Sequence, residues 1–382
     1  MNKLKAVIIN PWYTPYRIPV LREVSQHEEL DVTIIYCRPI EVGREWTVPG
    51  KLPVKAIYLK PLTLLRYQDR RIFGEEKSFQ YPAGLFKMLR QIKPDVIVAL
   101  EFRIDCLTAL FYSIISGCDY VTWSDMTHIH DVRMGIVRML IRRLLLWRSK
   151  ALIGSSTDTL THFQQSFDFS PQKSFLSILG SHAEELVSTS GVKAKCPEEI
   201  REKQNISFLY IGRLVPLKGV ELLLNAFAKF HLKFPHTRLT LLGDGPERQS
   251  LLAMVEKFGL KDHVTFQGYV PFDQIPHEII QHDVLVLPTK IDVFGLVIAE
   301  AIICGVPVIC SCYAGAANDL VKENGIVVTP ENTAEFVNAL NCMMSPDKRR
   351  RMTAACNKMT PIINLNTATK TFVAALQAAS CK

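Results

Sequence analysis

Short apolar runs alternate along this chain with longer stretches whose apolar residues recur every three or four positions. In the first part, the runs at 4–9, 32–36, 96–100, 120–123 and 151–154 predict strands. Between them, 18–26, 82–91, 106–115, 132–148 and 157–167 predict helices. The strands are apolar throughout rather than alternating, so both faces of their sheet must be covered, as in a parallel sheet between two helix layers. The alternation restarts at 206–211 and continues to about residue 345, and a last helix is expected over 367–379 with Phe372, Ala375 and Leu376 on one side. Residues 181–204, polar and carrying Pro197 and a run of charges, read as the connection between two domains.

Two strand-to-helix loops of the second half carry the candidate chemistry. Asp292 and Glu300 flank seven residues that include Phe294-Gly295-Leu296-Val297. An apolar strand at 283–288 precedes them, and a small-residue helix at 301–305 and a strand at 306–310 follow. Gly295 lets bare backbone approach a ligand where a helix begins, and free N–H groups there attract phosphate. Glu300 lies about a turn and a half further on and leans back toward that opening. Upstream, the strand at 206–211 leads into Gly212-Arg213-Leu-Val-Pro-Leu-Lys218-Gly219 and then a helix at 220–230, with Leu223, Ala226, Phe227 and Phe230 on one face. Arg offers phosphate a planar fork and Lys a mobile point charge. Taken singly, each loop also fits a plainer case: a chance Gly and Glu, and two solvated cations.

Taken together, the loops at 212–219 and 292–300, with 241–246 and 264–269 in order between them, resemble the retaining family-4 glycosyltransferases. The resemblance runs from about 205 to 329 and is weak before that. It implies the α/β GT-B fold, two Rossmann-like doubly wound domains facing each other across a cleft. The expected division is an acceptor domain at 1–185, a linker at 186–204, a nucleotide-sugar donor domain at 205–360 and a helix at 361–382 packing back on the first domain. Arg213 and Lys218 are expected on the donor diphosphate, Asp292 on the donor sugar and Glu300 on the ribose hydroxyls. The backbone at Phe294, Gly295, Leu296 and Val297 is expected at the distal phosphate and sugar. Gly212, Gly243 and the backbone at Gln267, Gly268 and Tyr269 complete the donor pocket, with the base near Gly243. Family members usually have Glu where Asp292 stands, so its contact with the sugar must be reached one methylene shorter.

The acceptor side is less distinctive. The family often has a glycine-rich first loop; here it is Asn10-Pro-Trp-Tyr-Thr-Pro-Tyr-Arg17, stiffened by two prolines. Tyr13, Tyr16 and Arg17 are the expected acceptor contacts, with closure of the domain edge by Trp12 and Tyr16 as the alternative. The family often places His at the end of the strand near Trp123; here Ser124-Asp125 takes the slot and His128 and His130 follow. Asp125 and then His128 are expected beside the reacting sugar. The implied activity is that of a hexosyltransferase, moving sugar from a UDP- or GDP-linked donor to a glycan or lipid-linked acceptor with retention, without metal or cofactor. Lipopolysaccharide or exopolysaccharide assembly is the expected setting. A non-catalytic sugar-nucleotide-binding protein or a sugar-nucleotide epimerase of the same fold are the alternatives.

Composition adds a few constraints. The chain has 382 residues, 48% apolar and 21% charged, enough for two ordinary domains with real cores. A net charge of +8 favours anionic partners, but no aromatic-interleaved basic stripe or zinc spacing points to nucleic acid. Cys106, Cys304 and Cys310 lie in apolar runs and read as reduced core residues, and Cys310-Ser-Cys312 lacks a second pair for metal. No signal peptide or membrane-spanning run is read, so the protein is expected in the cytoplasm, either free or peripheral on the cytoplasmic membrane face. The segment 132–150 has six Arg or Lys. Val137, Leu140, Ile141 and Leu144 form one stripe, expected to face the sheet. Arg138 and Arg142, with Met134, Met139 and Leu146 near them, are expected on the outer face, either a basic back or a surface touching anionic lipid.

Overall fold

The computed structural model describes residues 3–38, 54–69, 75–130, 135–202 and 205–380. The first domain runs β1 (Leu4–Asn10), α1 (Ile18–Gln26), β2 (Leu30–Tyr36), β3 (Ala56–Tyr58), a hairpin of β4 (Leu62–Asp69) and β5 (Glu75–Tyr81), then α2 (Leu85–Ile92) and β6 (Val96–Leu100). It continues through α3 (Ile104–Ser116), β7 (Asp119–Ser124), α4 (Ile136–Arg148), β8 (Ala151–Gly154), α5 (Thr157–Phe167) and β9 (Ser174–Leu176). After α6 (His182–Ser190), the second domain runs β10 (Ser207–Ile211), α7 (Val220–His231), β11 (Arg238–Leu242), α8 (Arg248–Lys257), β12 (Val264–Gly268), α9 (Ile275–Gln281) and β13 (Val284–Leu287). Then come α10 (Leu296–Ile303), β14 (Val308–Ser311), α11 (Ala317–Leu320), β15 (Gly325–Val328), α12 (Thr333–Cys342), α13 (Pro346–Ile363) and α14 (Leu365–Ser380).

Both large sheets are parallel, in the orders β3-β2-β1-β6-β7-β8-β9 and β12-β11-β10-β13-β14-β15. Each reverses direction once, between β1 and β6 and between β10 and β13. The apolar strands follow from this double coverage. In β1, Ala6 and Ile8 pack on one face against α1 and α14, while Val7 and Ile9 pack on the other against α2 and α3. The C-terminal helix does return to the first domain. Phe372 is fully buried there and meets Trp123 edge-on at 5.0 Å. Cys106, Cys304 and Cys310 are buried thiols.

Two expectations differ from the structure. The polar connection contains α6, whose Ala183 and Val187 join the core of the second domain. Its polar outer face hid a short helix from the sequence. Of the stripe expected to face the sheet on α4 only Ile141 packs on the core; Val137 is 71% exposed, and Leu140 and Leu144 are exposed with it. Arg142, Leu145 and Leu146 are buried in its place. The helix is apolar on two sides, and the guanidinium of Arg142 stacks on Phe102 at 5.1 Å, which lets a cation take the inner side. Met134 and the helix start at 132–134 lie outside the described residues.

The return of the last helix is testable. Phe372→Ala removes a buried ring and should cost about 3–5 kcal/mol of first-domain stability, read as a lower urea midpoint; a loss under about 1 kcal/mol would contradict the packing described.

Candidate active site

The two motif loops meet at the switch point of the second sheet. The loop after β10 carries Arg213 and Lys218, and the loop after β13 carries Asp292. Lys218 Nζ and Asp292 form an ion pair. The loops are tied together further back, where the Lys290 amide and the Thr289 hydroxyl donate to the Leu217 carbonyl at 2.9 and 3.0 Å. Tyr210, buried beneath, donates its hydroxyl to the Arg213 carbonyl at 2.9 Å. Burial first, and the Asp292 charge next, push the Tyr210 phenol up, so it stays a neutral donor.

Gly212, Gly243 and Gly268 close the other side of this crevice. The Gly212 amide donates to Leu242 at 3.0 Å, and the Gly243 amide to Gly268 at 2.7 Å. A side chain at Gly243 would put Cβ 2.0 Å from the Gly212 carbonyl oxygen, so the ends of β10 and β11 approach this closely only with glycine at 243. Gln267 is held by Glu278 at 2.8 Å, and Tyr269 is exposed.

Gly295 precedes α10 with φ of 85°, a left-handed conformation glycine adopts without strain. Among the described residues no side chain caps this helix start. Phe294 and Val297 are buried and Leu296 is half-buried, so their side chains pack while their backbone borders the crevice. Glu300 does not stand open at the helix mouth. It is 4% exposed, and its Oε1 lies 2.9 Å from Nε2 of His182. His182 stacks on Phe272 at 5.8 Å and lies 6.2 Å from the ring of Tyr16. The crossover thus reaches Glu300, with the first loop beside His182, a contact that sequence spacing could not reveal.

In the first domain the acceptor candidates divide. Asp125 and Arg17 are both buried and form an ion pair, with the guanidinium 4.3 Å above the Trp123 ring. Glu101, which directly follows β6 with φ of 70°, accepts from the Asp125 amide at 2.9 Å and from the Ser124 hydroxyl at 3.1 Å. Burial and the neighbouring Asp125 charge raise the Glu101 carboxyl to about 7. Asp125 Oδ1, two nitrogens of Arg17, both amide atoms of Asn10, Ser155 Oγ and Tyr36 OH are buried without hydrogen-bond partners among the described residues. They cluster at the carboxyl ends of the strands, where ligands of such sheets bind. The expectation for Tyr13 is corrected: it is a core ring, edge-on to Tyr36 at 6.2 Å. Tyr16 packs toward the second domain, and His128 is exposed. The side chain of His130 lies outside the described residues. Sequence reading missed Glu101 and His182; a glutamate closing an apolar strand was the signal for the first.

Glu101 gives a pH signature. Its folded value lies above the ordinary 4.5, so the folded state keeps a proton the unfolded chain has released. Its contribution to stability therefore falls as pH rises from 4.5 to about 7. Glu101→Gln should abolish that decline in chemical denaturation series; parallel curves for the two proteins would contradict it.

Comparison with known proteins agrees with this architecture. Residues 193–359 match the sequence model of the family described as glycosyl transferases group 1. The alpha-D-kanosaminyltransferase of Streptomyces kanamyceticus is 32% identical over 161 residues, 40% of this chain and 42% of that protein. A GDP-mannose-dependent alpha-(1-6)-phosphatidylinositol monomannoside mannosyltransferase of Mycobacterium tuberculosis is 28% identical over 253 residues, 60% of this chain and 62% of that one. The chain thus spans about half the length of these relatives. The solved structure of Anabaena HepE in complex with UDP superposes with a TM-score of 0.71 at 17% identity, covering 98% of this chain and 100% of that one. Its likeness speaks to fold. The second domain of this chain thus matches the group 1 glycosyl transferase model along most of its length, in a molecule with the GT-B fold.

Proposed function

We propose that the protein transfers a hexose from a UDP- or GDP-linked donor to a hydroxyl of a glycan or lipid-linked acceptor, with retention of configuration and without metal. The observation that carries this reading is the Lys218–Asp292 pair beside the uncapped start of α10 at the switch point. In the resting site Lys218 is neutralised by Asp292. An arriving diphosphate offers Lys218 and Arg213 more negative charge than one carboxylate does. As the bond to the sugar breaks, charge builds on the leaving phosphate, and fixed cations and helix N–H groups stabilise it. Asp292, released from Lys218, turns its acceptor oxygens to the donor sugar. Front-face attack with the leaving phosphate taking the acceptor's proton needs no protein base. Asp125, fixed by Arg17 and Glu101, orients the acceptor hydroxyl. Relatives named for GDP-mannose and a neighbour bound to UDP support a nucleotide-linked donor and leave the base open.

The reading extends to an anionic lipid surface. Ile136, Val137, Leu140, Leu144 and Trp147 form an exposed apolar stripe on α4, with Trp147 75% exposed. Phe111, Ile114 and Ile115 of the adjacent α3 are exposed too. Arg138, Arg143 and Lys150 rim the stripe, and a groove of about 500 Å³ lined by Arg90, Lys93, Tyr112 and Ile115 lies on the same side. Apolar side chains amid cations match an interface of acyl chains below anionic head groups. No helix among the described residues is long and apolar enough to cross a membrane.

Two measurements test these readings. Arg213→Ala should lower kcat/KM for sugar transfer by about 100-fold or more, in a reaction undiminished by EDTA; wild-type rates from the variant, or loss in chelator, would contradict the site. The protein should sediment with phosphatidylglycerol vesicles at low salt and be released by salt, and Leu140→Asp with Leu144→Asp should remove it. Equal recovery with and without vesicles would rule the lipid surface out.

A further inference from the structure

The first sheet has a switch point of its own, between β1 and β6, and its residues differ from those of the donor loops. The connections leaving these two strands part in opposite directions, which opens a crevice at their carboxyl ends. Trp12 comes from the loop after β1, Arg103 from the loop after β6, and Arg38 from just beyond β2. The guanidinium carbon of Arg103 lies 5.0 Å from the centre of the Trp12 ring, and that of Arg38 lies 6.0 Å from it. Two like charges thus converge on one indole.

Neither packing nor local charge balance accounts for both. A cation–π contact satisfies one guanidinium per ring face and does not call for a second. Asp105, fully buried in the first turn of α3, faces them with its Oδ1 3.7 Å from Arg103 Nε. That is an ion pair without a hydrogen bond, and neither Asp105 oxygen has a hydrogen-bond partner among the described residues. Among the described residues one carboxylate thus faces two guanidiniums, which leaves one positive charge. Arg38 is only 9% exposed, and the Nε atoms of Arg38 and Arg103 are buried without partners among the described residues. Burial, and then the Arg103 charge, lower the Arg38 pKa from its ordinary value. A guanidinium held dehydrated beside another is costly until an anion joins it.

The cluster also shares the connections after β1 and β6 with the acceptor candidates. Glu101, two residues before Arg103, accepts from the Asp125 amide at 2.9 Å. An acceptor whose hydroxyl lies at Asp125 can therefore extend past Glu101 toward Arg103 and Arg38.

We propose that Arg38 and Arg103, steadied by Trp12 and Asp105, form a subsite for an oxyanion, a carboxylate or phosphate, carried by the acceptor. This rests on the sugar-transfer reading above, but it can be tested without turnover. The probes are methyl glucuronide, glucose 6-phosphate and neutral methyl glucoside, titrated into the full-length protein at low salt and read by saturation-transfer NMR. Wild type should bind both acidic probes and bind the neutral one at least about tenfold more weakly. Arg38→Gln and Arg103→Gln should each weaken the acidic probes by about tenfold or more, while Arg213→Ala should leave them unchanged. The stronger acidic probe identifies phosphate or carboxylate as the preferred group. Should Arg38→Gln not fold, Arg103→Gln decides, because Arg103 is partly exposed. Equal binding of acidic and neutral probes, no binding of the acidic ones, or a loss that follows Arg213→Ala instead would overturn the subsite. Binding of UDP and GDP, measured in parallel, reports separately on the donor reading.

Discussion

The contact between Lys218 and Asp292 is the interaction on which the rest of the second domain's site depends. It joins the loop after β10 to the loop after β13 where the parallel sheet changes winding direction. Chain leaving one strand there goes to one face and chain leaving its neighbour goes to the other, so no helix fills the gap between them. A gap at strand ends gathers backbone N–H groups and side chains from two loops. One cation and one carboxylate in it neutralise each other only until a more highly charged ligand arrives. The short connections that make the pairing possible rely on glycines, and a Cβ at Gly243 would strike the Gly212 carbonyl.

The second constraint is how the two domains are joined. The chain passes over α10 at Gly180, where a Cβ would lie 2.5 Å from that of Ala299. It then delivers His182 to Glu300. At another point the Thr157 amide donates to Asp319 at 2.7 Å, and Asn318 donates to Asp158 at 3.0 Å. The last helix returns to the first core through Phe372. Glu300 is thus held by the crossover, not only by its own helix. The His182–Glu300 contact lies where the crossover packs on the second domain.

Much of the fold was legible because continuous apolar runs leave little choice. The strands at 96–100 and 151–154 and the helices at 18–26 and 157–167 have the bounds the pattern gave. The meeting of the loops at 212–219 and 292–300 was legible because each follows a strand of one parallel sheet, so that order along the chain stands in for position in space. What failed was what depends on tertiary partners. The inward face of α4 is set by Phe102 and Met126 receiving Arg142, and α4 alone is apolar on both sides. Tyr13 looked like a loop aromatic, but Tyr36, distant in sequence, holds it in the core. Glu101 and the Arg38–Trp12–Arg103 cluster each need residues from loops brought together only by strand order. The hairpin of β4 and β5 escaped because mixed polar and apolar residues give no clean period.

The central claim is that Asp292 occupies Lys218 in the place of a diphosphate. Calorimetric titration of UDP and GDP into wild type, Lys218→Met, Asp292→Asn and the double variant tests it most directly. Asp292→Asn should tighten nucleoside diphosphate binding, Lys218→Met should weaken it, and most of the gain from Asp292→Asn should vanish once Lys218 is gone. If Asp292→Asn weakens binding, or changes it equally with and without Lys218, the two residues do not share the diphosphate site and the account is contradicted.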